Sequence, residues 1–402
     1  MIFLCIVLEL AHLLFWFGGL RLAHLFRHAA RQQDRPVARI TNPISRAETG
    51  PARTSPERAR SDDHPDSPRT RSPVTIFRPL KPDTFKLRPR LQNFLDQLTP
   101  GDEVLFGVSP DQALENAICR SLFKRQIRVS VLQCEPDRFP NPKTNKLAQM
   151  QAHAGHETWI LLDSEVAPTA CFLGELLRHS SQTTAITAMY RFTGISSLSE
   201  LADAIATQHF LWIGTLWRRC LANQEHLFGA CIVVTRSMIE RIGGFQRLGD
   251  YLADDYHLGH ALHQAGFRIE LAPEPADVDM DRLSWGGYFS HQLRAACTYR
   301  TSTPAGYFGS LLAQALPAVV AGTLVFWQIG LLVLLTSALL RAIVHFLIER
   351  TLGGKTSFRR ILLITPILLG MESIAWLASW FLPGIRWGNR KFALHRDGRI
   401  RR

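Results

Sequence analysis

Cysteine is scarce in this 402-residue chain, and its seven cysteines never occur as a CxxC pair. They show no zinc-ligand spacing, so the sequence offers no structural zinc site. Their odd number argues against a disulfide framework and favours a reducing compartment. Internal repeats are also missing, which excludes a repeat array. The length allows one or two domains.

Acidic residues are outnumbered by basic ones, 34 to 46, which gives the chain a formal net charge of +12. Such an excess indicates an anionic partner, namely a membrane surface, a nucleotide or a nucleic acid. The arginines cluster in one segment and beside apolar runs, without an aromatic–basic platform. We therefore expect no nucleic acid among the partners.

Leucine and aromatic residues are absent from residues 31–73, which contain seven prolines, nine arginines and six acidic residues. A segment of this composition buries too little apolar surface to fold. We predict that residues 28–73 form a disordered Pro/Arg-rich linker. Its arginines either contact anionic lipid headgroups or are simply solvated.

Charge is also scarce in residues 2–20, which hold only two ionisable side chains. At ~1.5 Å per residue this apolar run matches the ~30 Å core of a bilayer. A signal peptide is the alternative, but it requires basic residues before the apolar run, whereas here they follow it. We predict a transmembrane anchor over residues 1–27, with its N-terminus outside and the next segment cytosolic.

Residues 305–340 contain no charged side chain at all, and the apolar run continues to about residue 348. A run of this length is sufficient for two membrane spans. We expect the chain to break between them near Trp327.

Residues 361–382 form a further apolar segment that has basic residues on both sides, so the positive-inside rule does not orient it. The segment contains Pro366 and Glu372. It either enters and leaves on one side, or forms a tilted helix in which Glu372 pairs with a neighbour. In both cases Glu372 should face protein or water. We assign residues 305–384 to two or three C-terminal membrane helices and residues 385–402 to a basic cytosolic tail.

Between the membrane segments, short β-rich runs alternate with helical patterns. The pattern predicts strands over residues 74–80, 103–108, 127–134 and 158–163, and helices over residues 111–125 and 145–154. Such alternation indicates an α/β fold with a mostly parallel sheet and helices on both faces. We predict this domain over residues 74–304, with its ligand beyond the carboxyl ends of the strands.

Two pairs of carboxylates stand out in this domain. Asp163 and Glu165 follow a predicted strand at i and i+2, a spacing that allows both to ligate Mg²⁺ or Mn²⁺. A solvated turn is the alternative. Asp254 and Asp255 are adjacent. Two neighbouring negative charges resist burial unless a cation, a metal or a proton-transfer task holds them.

Four further residues each have a functional and a structural interpretation. Asp111 either accepts a hydrogen bond from a uridine or caps the helix that follows it. Lys143 and Lys146, near a predicted helix start, either bind a phosphate or belong to a solvated basic loop. Arg294 precedes the membrane run and either contacts a pyrophosphate or lies at the membrane interface.

The order of these motifs resembles the ceramide glucosyltransferase family, glycosyltransferase family 21, among the inverting GT-A transferases. The resemblance rests on VTIFRPLK, EVLFGV, NPKTNKL, WILLDSE, FGACIVVTRSMIERIGGF, YLADDYHLGHALHQAGFRIELAP, HQLRA and IRWGNRKFAL. The similarity that runs from the first to the last of these segments covers nearly all of residues 74–394. The chain is similar in the same way to bacterial hopanoid-biosynthesis-associated glycosyltransferases.

The resemblance implies a cytosolic GT-A domain, Rossmann-like in its sheet, held at both ends in the bacterial inner membrane. It implies transfer of a hexose from a UDP-sugar to the hydroxyl of a lipid such as ceramide, with UDP-glucose as the preferred donor candidate. Transfer from UDP-N-acetylglucosamine to a hopanoid polyol is the alternative. The implied partners are the UDP-sugar, the lipid acceptor and the bilayer, and the implied cofactor is Mg²⁺ or Mn²⁺.

The resemblance also implies roles for individual residues. Asp255 would be the general base, and Asp254 beside it would raise its pKa. Asp163 would lie at the metal and the diphosphate. Glu165 stands where the family is variable, so it is a metal-ligand candidate from its spacing to Asp163 alone. Arg294 would hold the leaving pyrophosphate, with Asp163 beside it. Asp111, Lys143 and His291 complete our set of candidate donor-binding residues.

Three positions depart from the family pattern. Asp111 is one position late relative to the first family aspartate, and Pro110 precedes it. Ala295 and His291 replace the tryptophan and the leading residue of the family's (Q/R)xxRW signature. These departures leave open a second hypothesis, a non-catalytic membrane-anchored homologue, although the retained aspartates and Arg294 favour an enzyme.

Overall fold

The computed structural model describes residues 1–33, 71–82, 86–122, 126–169, 172–221, 226–388 and 390–401. Most of the predicted linker, residues 34–70, lies outside the described residues. Its two described ends are ordered. The N-terminal helix continues to Gln33, and the Arg71 guanidinium donates to Asp102 Oδ1 at 2.7 Å.

The strands of the described chain are β1 Thr75–Pro79, β2 Glu103–Val108, β3 Arg128–Gln133, β4 Thr158–Leu162, β5 Thr184–Ala188, β6 Tyr190–Thr193, β7 Cys231–Thr235, β8 Arg268–Leu271, β9 Ala276–Asp279, β10 Gly384–Trp387, β11 Arg390–Leu394 and β12 Ile400–Arg401. Seven of them form one sheet in the order β3-β2-β1-β4-β7-β5-β8. Strand β7 runs antiparallel to β4 and β5, and the other neighbours pair in parallel. The predicted mostly parallel sheet is confirmed.

The helices of the described chain are α1 Ile2–Gln33, α2 Leu87–Leu95, α3 Ala113–Ser121, α4 Pro142–Met150, α5 Phe172–Arg178, α6 Leu198–Leu221, α7 Arg236–Arg241, α8 Asp254–Gln264, α9 Trp285–Ser302, α10 Pro304–Gly309, α11 Leu316–Thr323, α12 Trp327–Thr351 and α13 Phe358–Ser379. The four predicted strands and two predicted helices of the α/β domain are all present, with their ends shifted by a few residues. The fold class is the predicted α/β one.

Helices cover both faces of the main sheet because alternate side chains of its central strands enter two different cores. On β1, Ile76 belongs to a core that includes Leu91 of α2. Its neighbour Phe77 belongs to the opposite core, which includes Met150 of α4 and Leu258 of α8. Because helices cover the two faces, the ends of the strands are left open, and loops and the first turns of helices converge there.

Three described helices, α1, α12 and α13, are long and apolar enough to cross a membrane. Helix α10, with the 3₁₀ turn after it, and α11 form a further apolar pair that bends by 51°. The break expected near Trp327 is confirmed, since α12 begins at that residue. The sequence prediction of one N-terminal and two to three C-terminal membrane helices agrees with this arrangement, which identifies an integral membrane protein.

Helix α13 continues without interruption through Pro366. Glu372 on this helix accepts a hydrogen bond from Arg341 of α12, with 2.8 Å between Nη2 and Oε2. The expectation that Glu372 faces protein is confirmed. The segment is therefore a continuous helix in which Glu372 is paired, the second of the two alternatives, and not a re-entrant segment.

The segment predicted as a basic tail, residues 385–402, folds into a small antiparallel sheet of β10, β11 and β12. Its apolar side chains share one core with the domain, formed by Ile385, Phe392 and Ile400 with Leu252 and Cys297. The many basic residues of the segment hid an alternation of apolar side chains, which point inward while the charges remain exposed.

Candidate active site

Four segments that are distant in the sequence meet where β4 ends. Asp163 follows β4 directly, and its backbone N–H donates to the carbonyl of Ala230, just before β7, at 3.1 Å. Because β4 and β7 are antiparallel neighbours, the end of one lies beside the start of the other. The first turns of α4 and α8 bring Lys143 and Asp255 to the same place.

The start of α4 is fixed by the sequence Asn141-Pro142-Lys143. The Asn141 side chain accepts from the N–H groups of Lys143 and Thr144 at 2.9 and 3.0 Å, while Pro142 occupies the first turn. Asn141 Nδ2 also donates to the carbonyl of Tyr251 at 2.8 Å. This cap therefore joins α4 to the segment that leads into α8.

Lys143 is the central cation of the cluster. Its Nζ lies 2.5 Å from Asp163 Oδ1, 3.0 Å from the carbonyl oxygen of Gly229 and 4.0 Å from Asp254 Oδ2. Burial would lower the pKa of Lys143, but the surrounding carboxylates outweigh it and raise that pKa. The ammonium therefore stays charged, and it offsets the repulsion between carboxylates that the sequence placed close together.

Asp255 is held by two backbone donors in the first turn of α8. The N–H of Gly229 donates to Oδ2 and the N–H of Tyr256 donates to Oδ1, both at 2.8 Å. Burial and then the charge of Asp254 raise the pKa of Asp255 to about 6. The direction predicted from the adjacent Asp254 is confirmed, although burial is the larger cause.

Gly229 was not identified from the sequence, yet the cluster packs closely against its backbone and favours a glycine there. A Cβ at this position would lie 3.1 Å from both Asp255 Oδ2 and Lys143 Nζ. Any larger residue would press on the two groups at once. The signal in the sequence is the small pair Gly229-Ala230 immediately before a buried strand.

Glu165, the second predicted metal ligand, is paired with other groups. Lys81 Nζ lies 3.3 Å from Glu165 Oε1, and Ser164 Oγ donates to Oε2 at 2.7 Å. Burial alone would raise the pKa of Glu165, but Lys81 and Ser164 hold it at about 2. Within the residues that the structure describes, no three His, Cys, Asp or Glu side chains are grouped to hold a metal ion.

Asp111 lies in an exposed turn before α3 and does not cap that helix, because Gln112 occupies the N-cap position. The structure therefore does not support the capping alternative. Lys146 is directed toward the same turn. It donates to Gln112 Oε1 at 2.5 Å and to the carbonyl of Leu80, and burial lowers its pKa to about 8. The Lys146 ammonium thus bonds Gln112 and Leu80 and is not part of the cluster around Lys143.

His291 lies on α9 and contacts α6. Its Nδ1 is 2.8 Å from both carboxylate oxygens of Asp203, to which Gln292 Nε2 also donates at 2.7 Å. His291, predicted to bind the donor, therefore contacts α6, the neighbouring helix. These contacts orient α9, which carries Arg294 one turn later.

The Arg294 side chain is half-buried and packs against an aromatic ring from the C-terminal sheet. Its guanidinium carbon is 5.5 Å from the centre of the Trp387 ring. Burial lowers the pKa of Arg294, while the charges of Asp203, Glu165 and Asp255 oppose that shift. The guanidinium thus lies within the field of the predicted site carboxylates and is electrostatically matched to an anionic ligand.

Over most of its length the chain is similar to proteins of known class. The profile described as Glycosyl transferase family 21 matches residues 49–400. Ceramide glucosyltransferase 1 of Caenorhabditis elegans is 22% identical over 219 residues, which are 50% of this chain and 44% of that protein. The match thus spans less than half the length of this relative.

Solved structures resemble the chain more remotely. A glucosyl-3-phosphoglycerate synthase from Mycobacterium tuberculosis, in complex with Mn²⁺, UDP-glucose and phosphoglyceric acid, is 13% identical with a TM-score of 0.35. The similarity covers 57% of this chain and 79% of that one. A second mycobacterial protein is 15% identical, with a TM-score of 0.36 over 58% of this chain and 75% of that one. Similarities this remote do not bear on substrate or mechanism.

Proposed function

Because this chain belongs to glycosyl transferase family 21, we propose that it is a membrane-bound enzyme that moves a hexose from a UDP-sugar to a lipid hydroxyl. The proposed donor is UDP-glucose, the proposed acceptor is a ceramide-like lipid, and the anomeric carbon is inverted. One observation carries the proposal. The Asp255 carboxylate, whose pKa is raised, lies beside the Lys143 ammonium where β4 ends. The domain that holds them packs onto membrane helices.

In the proposed reaction Asp255 accepts the proton of the acceptor hydroxyl. The acceptor oxygen forms a bond to the anomeric carbon while the bond from that carbon to the UDP oxygen breaks, and UDP leaves with the bonding electrons. A base is most effective when its pKa approaches the working pH. The two backbone N–H groups on Asp255 fix its orientation, and burial raises its pKa toward neutrality.

Two cations are proposed to receive the negative charge that develops on UDP. Lys143 is in the first turn of α4, where backbone N–H groups also favour an anion. Arg294 approaches from α9 and offers several N–H donors that suit phosphate oxygens. Fixed positive groups at a leaving group stabilise the transition state more than the ground state.

A divalent cation fits this donor set, because Asp163 and Asp254 already share one cation, the Lys143 ammonium. Hard carboxylate oxygens suit Mg²⁺ and Mn²⁺. Asp163 is the residue proposed to hold the ion, with Asp254 near it. Glu165 would first have to leave Lys81, so it is the less suited of the two predicted ligands. When bound, the ion would add positive charge beside the diphosphate.

A lipid acceptor is supported by the attachment of the site to the membrane helices. Helix α9 carries Arg294, packs against α13 and leads directly into α10. The outward sides of the membrane helices expose large apolar side chains, including Phe3, Leu332 and Leu363. Such a surface is typical of lipid contact. We propose that the domain lies on the cytosolic side of the membrane, because basic residues follow the apolar run of the first helix.

The test is UDP release by purified full-length protein with Mg²⁺ or Mn²⁺, using UDP-glucose and UDP-N-acetylglucosamine separately, with ceramide or a crude lipid extract. We expect lipid-dependent release that Asp255→Asn reduces by about 10²–10⁴-fold, since that is the usual contribution of a general base. Binding of UDP by the variant should remain. Asp96→Asn, at an exposed position on another face, is the matched control.

Two results would contradict the proposal. Near-normal turnover by Asp255→Asn would remove the residue from the reaction. No release with either donor from well-folded protein would favour the alternative of a non-catalytic membrane-anchored homologue.

A further inference from the structure

The C-terminal sheet, β10–β12, contacts two of the segments that hold proposed active-site groups, the start of α8 and α9. The N–H of Leu252 donates to the carbonyl of Gly398 at 3.0 Å, and the N–H of Ile400 donates to the carbonyl of Asp250 at 2.7 Å. These bonds hold the residues immediately before α8, the helix that begins with Asp254 and Asp255. The C-terminal sheet is thus bonded through its backbone to the segment that leads into the proposed base, Asp255.

The same sheet packs against α9. Cys297 of α9 is fully buried in the core that contains the apolar side chains of the sheet, and Trp387 at the end of β10 belongs to its margin. Cys297 lies three residues beyond Arg294 on α9. One small sheet therefore reaches both the helix with the proposed base and the helix with the proposed diphosphate-binding arginine.

The surroundings of Arg294 show why this contact matters. Among the described residues its guanidinium has no hydrogen-bond or ion-pair partner, and the Trp387 ring is the group against which it packs. A half-buried arginine in this state keeps its N–H donors available for an anion, but no carboxylate or carbonyl fixes its direction. An aromatic face attracts a guanidinium and restricts where it points without using its donors.

We propose that Trp387 is a positioning residue for donor binding. Its ring holds the Arg294 guanidinium toward the diphosphate and supplies, from the C-terminal sheet, the aromatic group that is missing next to Arg294 at Ala295. The inference rests on the proposed function and extends it, because it makes the C-terminal sheet a part of the donor site.

The first test compares Trp387→Phe with Trp387→Leu in the full-length protein. Both replacements keep an apolar side chain at the margin of the core, but only phenylalanine keeps an aromatic face. We expect Trp387→Leu to weaken UDP binding and raise the donor KM by about 2- to 30-fold, the range of a cation–π contact. The acceptor KM should change little, and Trp387→Phe should stay near the wild type. Arg386→Ala, exposed on the same strand, is the matched control.

The second test is a double-mutant cycle for UDP binding with Arg294→Ala. If Trp387 acts through Arg294, Trp387→Leu should have no further effect in the Arg294→Ala background. The same loss of UDP affinity in both backgrounds, or equal UDP binding by the Leu and Phe variants, would overturn the role of Trp387. Neither result would affect the proposed function. Absence of UDP binding by the folded wild type would overturn the proposed function and this role together.

Discussion

Lys143 is the residue on which the charge balance of the site depends. Its ammonium lies among Asp163 and Asp254, and it contributes to the field on Asp255. At an effective dielectric constant of about 20, unit charges ~4 Å apart interact by about 4 kcal/mol. The lysine therefore stabilises a group of carboxylates that would otherwise repel one another. A divalent cation at Asp163 has to compete with it.

Lys143→Met tests this competition directly. Removing the ammonium leaves its carboxylate partners without their shared cation, so we expect the affinity for Mn²⁺ in the absence of any donor to rise by about tenfold or more, a gain of ~1.4 kcal/mol. Donor binding should weaken in the same variant. Titration of free Mn²⁺ by electron paramagnetic resonance measures the first effect. Lys355→Met, at an exposed loop position, is the control. Unchanged or weaker Mn²⁺ binding would refute the competition.

The pH dependence of turnover tests the role of Asp255. A general base must be deprotonated in order to act, and the pKa of Asp255 is raised to about 6. We expect kcat/KM to be constant above that pH and to fall about tenfold per pH unit below it. Steady-state rates between pH 4.5 and about 8 provide the measurement. A rate that stays constant down to pH 4.5 would contradict an aspartate with this raised pKa as the base.

At the scale of elements, α12 and α13 are joined by a buried ion pair. Arg341 is 1% exposed, and its guanidinium donates to Glu372 at 2.8 Å and to the carbonyl of Ala313 at 3.3 Å. It also lies against the ring of Trp16 on α1. One arginine thus connects three membrane helices and the chain break before α11.

Arg341→Met should lower the thermal unfolding midpoint of the detergent-solubilised protein strongly. Loss of one partner of a buried ion pair costs about 3–5 kcal/mol, because the other charge remains buried without compensation. The double variant Arg341→Met with Glu372→Met should recover most of the loss, since both buried charges are then gone. Arg359→Met, exposed on α13, should change little. A single variant as stable as the wild type would show that Glu372 does not depend on Arg341.

At the scale of the whole molecule, the first membrane helix is part of the folded body rather than a separate tether. Helix α1 approaches α6 so closely that a Cβ at Gly19 would overlap the Ile213 side chain. The Arg27 guanidinium donates to the carbonyl of Pro273 in the domain at 2.7 Å. The apolar helices therefore fix the orientation of the domain, and α9, which carries Arg294, packs against α6 and against α13.

The sequence alone determined the features that depend on local pattern. The alternation of β-rich runs and helices predicted the sheet, and uncharged stretches predicted the membrane helices, because both periodicity and hydropathy are read over neighbouring residues. The adjacency of Asp254 and Asp255 likewise predicted the direction of the Asp255 pKa. Membership of the family was also readable, since its motifs keep their order along the chain.

Only the tertiary structure decided which side chains meet. It paired Lys143 with Asp163, turned Glu165 toward Lys81 and placed the ring of Trp387 against Arg294. These partners come from different elements, and their contact depends on strand order and helix packing rather than on spacing in the sequence. For the same physical reason the segment from residue 385, basic by composition, became a folded sheet beside the site, because the buried surface that folds it lies on α9 and on Leu252, just before α8.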